Sequence, residues 1–153
     1  MIRKSDDQKI NAVTAMNSRY LMIASALVMA TMGLVLSFAP AETLAYMGGP
    51  ATGRLPVILQ LAGALYLGLA FANWTAKGMV LGGIYGRALV MGNFLHFIMG
   101  VLTLLRAAVG VSNSPVFWTV TLIYILFATG FGLLLFTHPS DPKEIRQPNA
   151  QGG

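Results

Sequence analysis

Four stretches of about twenty apolar residues constrain this chain more than any other feature of its sequence. They are residues 20–39, 55–74, 85–105 and 116–136, and none of them contains an interior Asp, Glu or Lys. A helix that crosses the hydrocarbon core of a bilayer needs about 20 mostly apolar residues. The pattern therefore predicts an all-α protein with four transmembrane helices.

Composition excludes most soluble alternatives. The chain has 153 residues, of which 56% are hydrophobic and 10% are charged, whereas soluble domains average about 25% charged residues. A small soluble domain buries only about two-thirds of the surface that its unfolded chain exposes. This composition strongly disfavours a soluble enzyme. The absence of Cys excludes disulfides, thiolate nucleophiles and Cys-ligated metals.

The basic residues predict the orientation of the four helices. The formal net charge is +5, and no nucleic-acid-binding motif accompanies it, so we interpret the excess as contacts with anionic lipids at the cytoplasmic face. Eight basic residues fall on the side of the termini: Arg3, Lys4, Lys9, Arg19, Lys77, Arg87, Lys143 and Arg146. Two fall on the other side, Arg54 and Arg106. The positive-inside rule then places both termini in the cytoplasm.

The flanking segments divide the chain into three parts. Residues 1–19 are predicted to be a cytoplasmic N-terminal segment, 20–138 the transmembrane domain, and 139–153 a disordered, Pro-containing cytoplasmic tail. We expect the first apolar run to be retained, because it is longer than the roughly 7–15 residues of a signal-peptide core. Residues 40–47 are compatible with about two helical turns that end at Gly48-Gly49. This segment is either an interfacial helix or an ordinary loop.

Small residues at helical spacing predict how the spans pack. Lipid tails are as apolar as Leu, so helices associate in membranes through close packing and hydrogen bonds. The short connections make neighbouring helices antiparallel, which predicts an up-down-up-down four-helix bundle. The small residues concerned are Ala64, Gly68 and Ala72 in span two, Gly92 and Gly100 in span three, and Gly130 and Gly132 in span four.

Polar residues inside the spans provide one candidate site. With a rise of about 1.5 Å per residue, the side chains of Thr31, Tyr66, His96 and Tyr124 fall near one level, and Asn93 lies one turn from His96. Polar groups at this depth need a partner or a role. One interpretation is a midplane site that binds a ligand or a quinone-like molecule or relays protons. The other is a set of polar side chains that hydrogen-bond one another.

A second cluster falls where spans two and three meet the cytoplasm. It comprises Asn73, Trp74, Lys77, Tyr85 and Arg87, and the glycines Gly82, Gly83 and Gly86 open the backbone beside it. Glycine amides and a guanidinium suit an anionic headgroup or phosphate. The alternative interpretation is an aromatic belt with cations that extend to the headgroups.

Other chemistries lack their residues. Two histidines, His96 and His138, cannot both reach one haem, because His138 lies beyond the last span. A zinc site lacks its three or four ligands, and the spans contain no carboxylate for coupled transport. We predict no cofactor, and an enzyme ranks last among the functional classes.

Four short motifs resemble a known family. They are GALYLG at 63–68, NWTAKG at 73–78, GGIYGR at 82–87 and GNFLHF at 92–97. Together they resemble a family of small bacterial four-span membrane proteins without an assigned activity, over residues 20–138 and most strongly over 60–100. Residues 38–42 are also similar, more loosely, to DoxX-like four-helix proteins, whose link to quinone or redox biology is an analogy. The resemblance implies a multi-pass protein of the bacterial inner membrane.

Three functions are compatible with these observations. The first, which we favour, is a structural or accessory subunit that binds a larger membrane partner. The second is a module that binds a small ligand, lipid or quinone at the midplane residues. The third is a small oligomeric transporter.

Overall fold

The described part of the chain is helical. The computed structural model describes residues 2–78, 84–108 and 114–137, and the side chains of residues 18–78, 85–108 and 114–136. Within these ranges there are five helices and no strand, and the helices are α1 (Ile2–Phe38), α2 (Pro40–Tyr46), α3 (Leu55–Ala76), α4 (Ile84–Ala107) and α5 (Pro115–Thr137). The predicted tail at 139–153, His138, Gly82 and Gly83 lie outside the described residues.

Four of the helices can cross a membrane. The candidate spans are Ser18–Phe38, Leu55–Ala76, Tyr85–Ala107 and Pro115–Phe136, with mean hydropathies from 1.9 to 2.2. Each lies within two residues of the corresponding predicted run. The prediction of an all-α, multi-pass membrane protein is therefore confirmed.

The first helix is longer than the span that it contains. Its backbone runs from Ile2 without a break to Phe38, so the residues before the span continue the same helix. The absence of Gly and Pro before Gly33 leaves no local helix breaker in this segment. The next helix starts only after Ala39, where Pro40 cannot donate a backbone hydrogen bond.

The first two long helices form an antiparallel pair. Gln60, early in α3, contacts Ser37 at the end of α1. Asn73, late in α3, contacts Ser25, which lies twelve residues earlier in α1 than Ser37. The helices approach most closely at Gly63, where a Cβ would collide with the Ser37 hydroxyl and lie 2.9 Å from the Gly33 carbonyl oxygen. Glycine thus allows the two backbones to meet, as small residues do in membrane helix pairs.

The short helix α2 closes the connection between α1 and α3. Its buried residues, Pro40 and Leu44, face the protein. At its end the Gly49 N–H donates to the Leu44 carbonyl at 2.9 Å and the Gly48 N–H to that of Ala45 at 3.1 Å. Gly48 has φ +74°, so this is a Schellman turn. Of the two alternatives for this segment, a short helix or an ordinary loop, the structure has the helix.

The last two helices form a second antiparallel pair. Gly100 of α4 lies against Tyr124 of α5, whose ring a Cβ at Gly100 would overlap. Near the opposite end, the Phe94 ring would be 3.2 Å from a Cβ on Gly132. The Ser114 hydroxyl accepts a hydrogen bond from the Phe117 N–H at 3.5 Å. Ser114 is therefore the N-cap of α5, and Pro115 is its first residue. The described residues divide into two compact units, with the boundary between residues 79 and 80.

Candidate functional site

His96 and Tyr124 are the midplane candidates that the structure brings together. Their ring centroids lie 5.9 Å apart. Phe97 touches both, with its ring centroid 5.2 Å from that of His96 and 5.3 Å from that of Tyr124. Tyr124 is buried and His96 is half-buried. An imidazole and a phenol therefore share one aromatic cluster between α4 and α5.

Asn93 lies one turn before His96 on the same helix. It is fully buried, and its side-chain amide donates a hydrogen bond to the Leu89 carbonyl at 2.9 Å. An amide that bonds its own helix in this way reduces the cost of a polar group at membrane depth. Asn93 thus belongs to the interior of the α4–α5 pair.

The other two midplane candidates lie in the first unit. Thr31 is exposed on α1, and its hydroxyl donates to the carbonyl of Leu27 at 3.0 Å. Tyr66 is half-buried on α3. Three of the five predicted residues therefore belong to the α4–α5 pair, and two belong to the α1–α3 pair.

The aromatic cluster extends along the second unit beyond the predicted residues. Phe97 stacks on Phe127 with a centroid distance of 4.9 Å and on Phe131 at 5.8 Å. Phe97 and Phe131 are almost completely buried. Sequence reasoning missed these rings, although their spacing of four residues on α5 is the signal for one helix face.

Asn73, assigned from sequence to the headgroup cluster, lies in the core of the first unit. It is fully buried, and its amide donates to the Ser25 hydroxyl at 3.0 Å and approaches the Met29 sulfur at 3.6 Å. The Ser25 hydroxyl in turn donates to the Met22 carbonyl at 3.0 Å. This chain of hydrogen bonds joins α3 to α1. Sequence reasoning missed Ser25, for which a hydroxyl inside an apolar run was the available signal.

Trp74 and Lys77 form the second close pair among the predicted residues. The Lys77 ammonium nitrogen lies 3.3 Å from the centroid of the Trp74 ring, which is a cation–π contact. Trp74 is 46% exposed and sits in the last turn of α3. A partly exposed tryptophan and a cation at the end of a span are typical of a membrane interface.

The remaining two residues of that cluster start the second unit. Tyr85 is 82% exposed, and Arg87 is half-buried in the first turn of α4. The structure therefore places Asn73, Trp74 and Lys77 in the first unit and Tyr85 and Arg87 in the second. A group of three or more His, Cys, Asp or Glu residues suited to a metal ion does not occur among the described residues.

Comparison of the chain with protein-family models, with curated proteins and with solved structures finds no match.

Proposed function

We propose that the chain is a partner-binding subunit of the bacterial inner membrane, with its four spans in an antiparallel bundle and both termini in the cytoplasm. Four helices long and apolar enough to span a bilayer support the membrane location. The distribution of Lys and Arg supports the orientation. The antiparallel course of the two long helices in each pair supports the bundle.

The observation that carries the proposed partner role is the outer face of α3. Ala64 and Gly68 are exposed there, and a Cβ on Gly68 would meet nothing within 4 Å. At 3.6 residues per turn this face lies opposite the buried Gly63 and Asn73, which pack towards α1. Span two also buries the smallest share of its apolar window, 11% against 22–28% for the other spans.

Such a face suits another helix. Leu61 and Leu65 are exposed along one side of Ala64 and Gly68. The small side chains should leave a shallow groove beside these two leucines. Helices in lipid associate where small residues let their backbones approach closely. The amide of Asn73 is engaged with Ser25 on the other side, so the outer face offers packing rather than hydrogen bonds. We infer that a transmembrane helix of the partner occupies the groove.

Site-specific photocrosslinking in native membranes tests this role. A photoreactive phenylalanine at Leu65, beside the groove, should yield a discrete adduct with a larger membrane protein. Gly68→Leu in the same chain fills the groove and should remove that adduct. Gly92→Leu is the matched control, because Gly92 is also exposed with open space around it, and it should leave the adduct intact. An adduct within the same chain, or one that persists in Gly68→Leu, would contradict the proposal.

A second candidate function rests on the contact between His96 and Tyr124. An imidazole and a phenol side by side, with the Asn93 amide one turn away, can hydrogen-bond a small polar ring or carbonyl. The protein purified in mild detergent should then show a stoichiometric bound organic species by native mass spectrometry. His96→Phe keeps an aromatic ring but removes the nitrogens, and it should abolish that species. A bare wild-type chain would leave these residues as packing.

A further inference from the structure

The connection from α1 to α3 begins and ends at the membrane surface. The first candidate span ends at Phe38 and the second begins at Leu55. The sixteen residues between them therefore start and finish at the same side of the bilayer, and α2 occupies the first part. A helix in this position lies beside the lipid headgroups unless a protein covers it.

The conformation of α2 is fixed at both ends. At its start, the Thr43 hydroxyl donates to the Ala39 carbonyl at 2.7 Å, and Pro40 sets the first turn. At its end, Gly48 takes the positive φ of the Schellman turn. Leu44 is buried against the helix pair. The opposite side of α2 is therefore held at a defined position outside the pair.

Large apolar side chains on α2 and directly before and after it are exposed. Phe38 is 81% exposed, Tyr46 is 71% exposed and Met47 is 74% exposed. Exposed apolar groups clustered at one end of a helix pair mark a surface that another apolar medium covers. Continuity with the two spans identifies that medium as the bilayer.

Glu42 limits how deeply α2 can lie in the bilayer. It is exposed on α2 and lies one turn before Tyr46, so the two side chains share the outer face. A carboxylate is costly in the hydrocarbon core, whereas tyrosine is enriched at headgroup level. The combination fits the boundary between headgroups and acyl chains and neither bulk water nor the bilayer interior.

We propose that α2 is a membrane-surface helix, with Phe38, Tyr46 and Met47 inserted at the boundary between lipid headgroups and acyl chains. It anchors the turn between the first two spans in the plane of the bilayer. This inference concerns the lipid around α2 and is independent of the partner proposed for α3.

Spin labelling tests the position of α2 directly. The chain has no Cys, so Tyr46→Cys carries a single nitroxide in liposomes of phosphatidylcholine and phosphatidylglycerol. Leu65→Cys, exposed within span two, and Thr52→Cys, exposed in the connection, are the reference sites. The ratio of collision rates with oxygen, which partitions into lipid, and with a water-soluble nickel chelate gives the depth. We expect the ratio at position 46 to lie several-fold above that at 52 and several-fold below that at 65.

Two results would overturn the inference. A ratio equal to that at Thr52→Cys would place α2 in water, and protection from both reagents would show that protein covers it. Met47→Cys is the second variant, because Met47 lies outside the regular turns of α2 and is exposed. It keeps the measurement decisive if replacement of Tyr46 disturbs the fold.

Discussion

The buried amide of Asn73 joins α3 to α1 through a hydrogen bond between side chains. It donates to Ser25, which donates to the Met22 carbonyl one turn earlier in α1. Hydrogen bonds between membrane helices contribute about 0.6 kcal/mol on average and up to about 1.7 kcal/mol. A fully buried amide with this geometry belongs towards the upper part of that range.

Replacement of Asn73 tests this contribution. Asn73→Ala should lower the free energy of unfolding by about 1–2 kcal/mol, because it removes the hydrogen bond to Ser25 and leaves a small cavity. Unfolding by a denaturing detergent, followed by circular dichroism, measures the change. Thr31→Ala is the control, because the exposed Thr31 hydroxyl donates to the Leu27 carbonyl of its own helix. Equal stability of both variants would show that the Asn73 bond adds nothing.

At the residue scale the sequence predicted polar positions better than polar partners. Asn73 was assigned to the headgroups because it falls close to the end of span two. Its actual partner, Ser25, lies 48 residues earlier in the chain. The register between α1 and α3 decides that contact, and it depends on the close approach of Gly33 and Gly63. Single-helix patterns do not contain this information.

Among the elements, the α4–α5 pair has its tightest glycine contact at Gly100. Gly100 leaves room for the ring of Tyr124, and that ring contacts both His96 and Phe97. Any side chain at position 100 must therefore displace Tyr124 or separate the helices. The same residue consequently controls helix packing and the geometry of the candidate site.

The pair Gly100→Ala and Gly92→Ala separates this effect from helix propensity. Gly100→Ala should destabilise the protein by about 1–3 kcal/mol, because overpacking forces side chains and backbone to shift. Gly92→Ala adds the same methyl group to open space, so it should keep or raise the free energy of unfolding, by up to about 1 kcal/mol, through the higher helix propensity of Ala. The two measurements are the free energy of unfolding in a denaturing detergent and the near-ultraviolet circular dichroism, which reports how aromatic side chains such as Tyr124 are packed. A Gly100→Ala protein with wild-type stability and dichroism would refute this account.

The elements themselves follow closely from the sequence. Bilayer thickness fixes the length of a span, so an apolar run shows where each span begins and ends. The turn at Gly48-Gly49 also follows, because glycine readily takes the positive φ of a Schellman turn. The sequence before the first span is compatible with a short amphipathic helix over residues 5–18. Its continuity with the span as one helix back to Ile2 did not follow, because the apolar run begins only at residue 20.

At the scale of the whole molecule, the orientation in the membrane is the main prediction. The sequence has no Cys, so single cysteines at exposed Thr52 and Gly78 can each be tested with a membrane-impermeant maleimide. In intact spheroplasts we expect labelling of Thr52→Cys but not of Gly78→Cys. Permeabilised cells should label both variants. The opposite pattern in intact cells would reverse the proposed topology.

The packing partners in both helix pairs are neighbours along the chain. Among the described residues, the helices of the first unit lie between α1 and α3, and those of the second unit are α4 and α5. During synthesis the first pair can therefore assemble before the second has left the ribosome, since proteins fold from the N-terminus as they are made. The Gly33–Gly63 contact would then form while the remaining half of the protein is still being translated. We therefore expect the protein to enter the membrane as two successive helical hairpins.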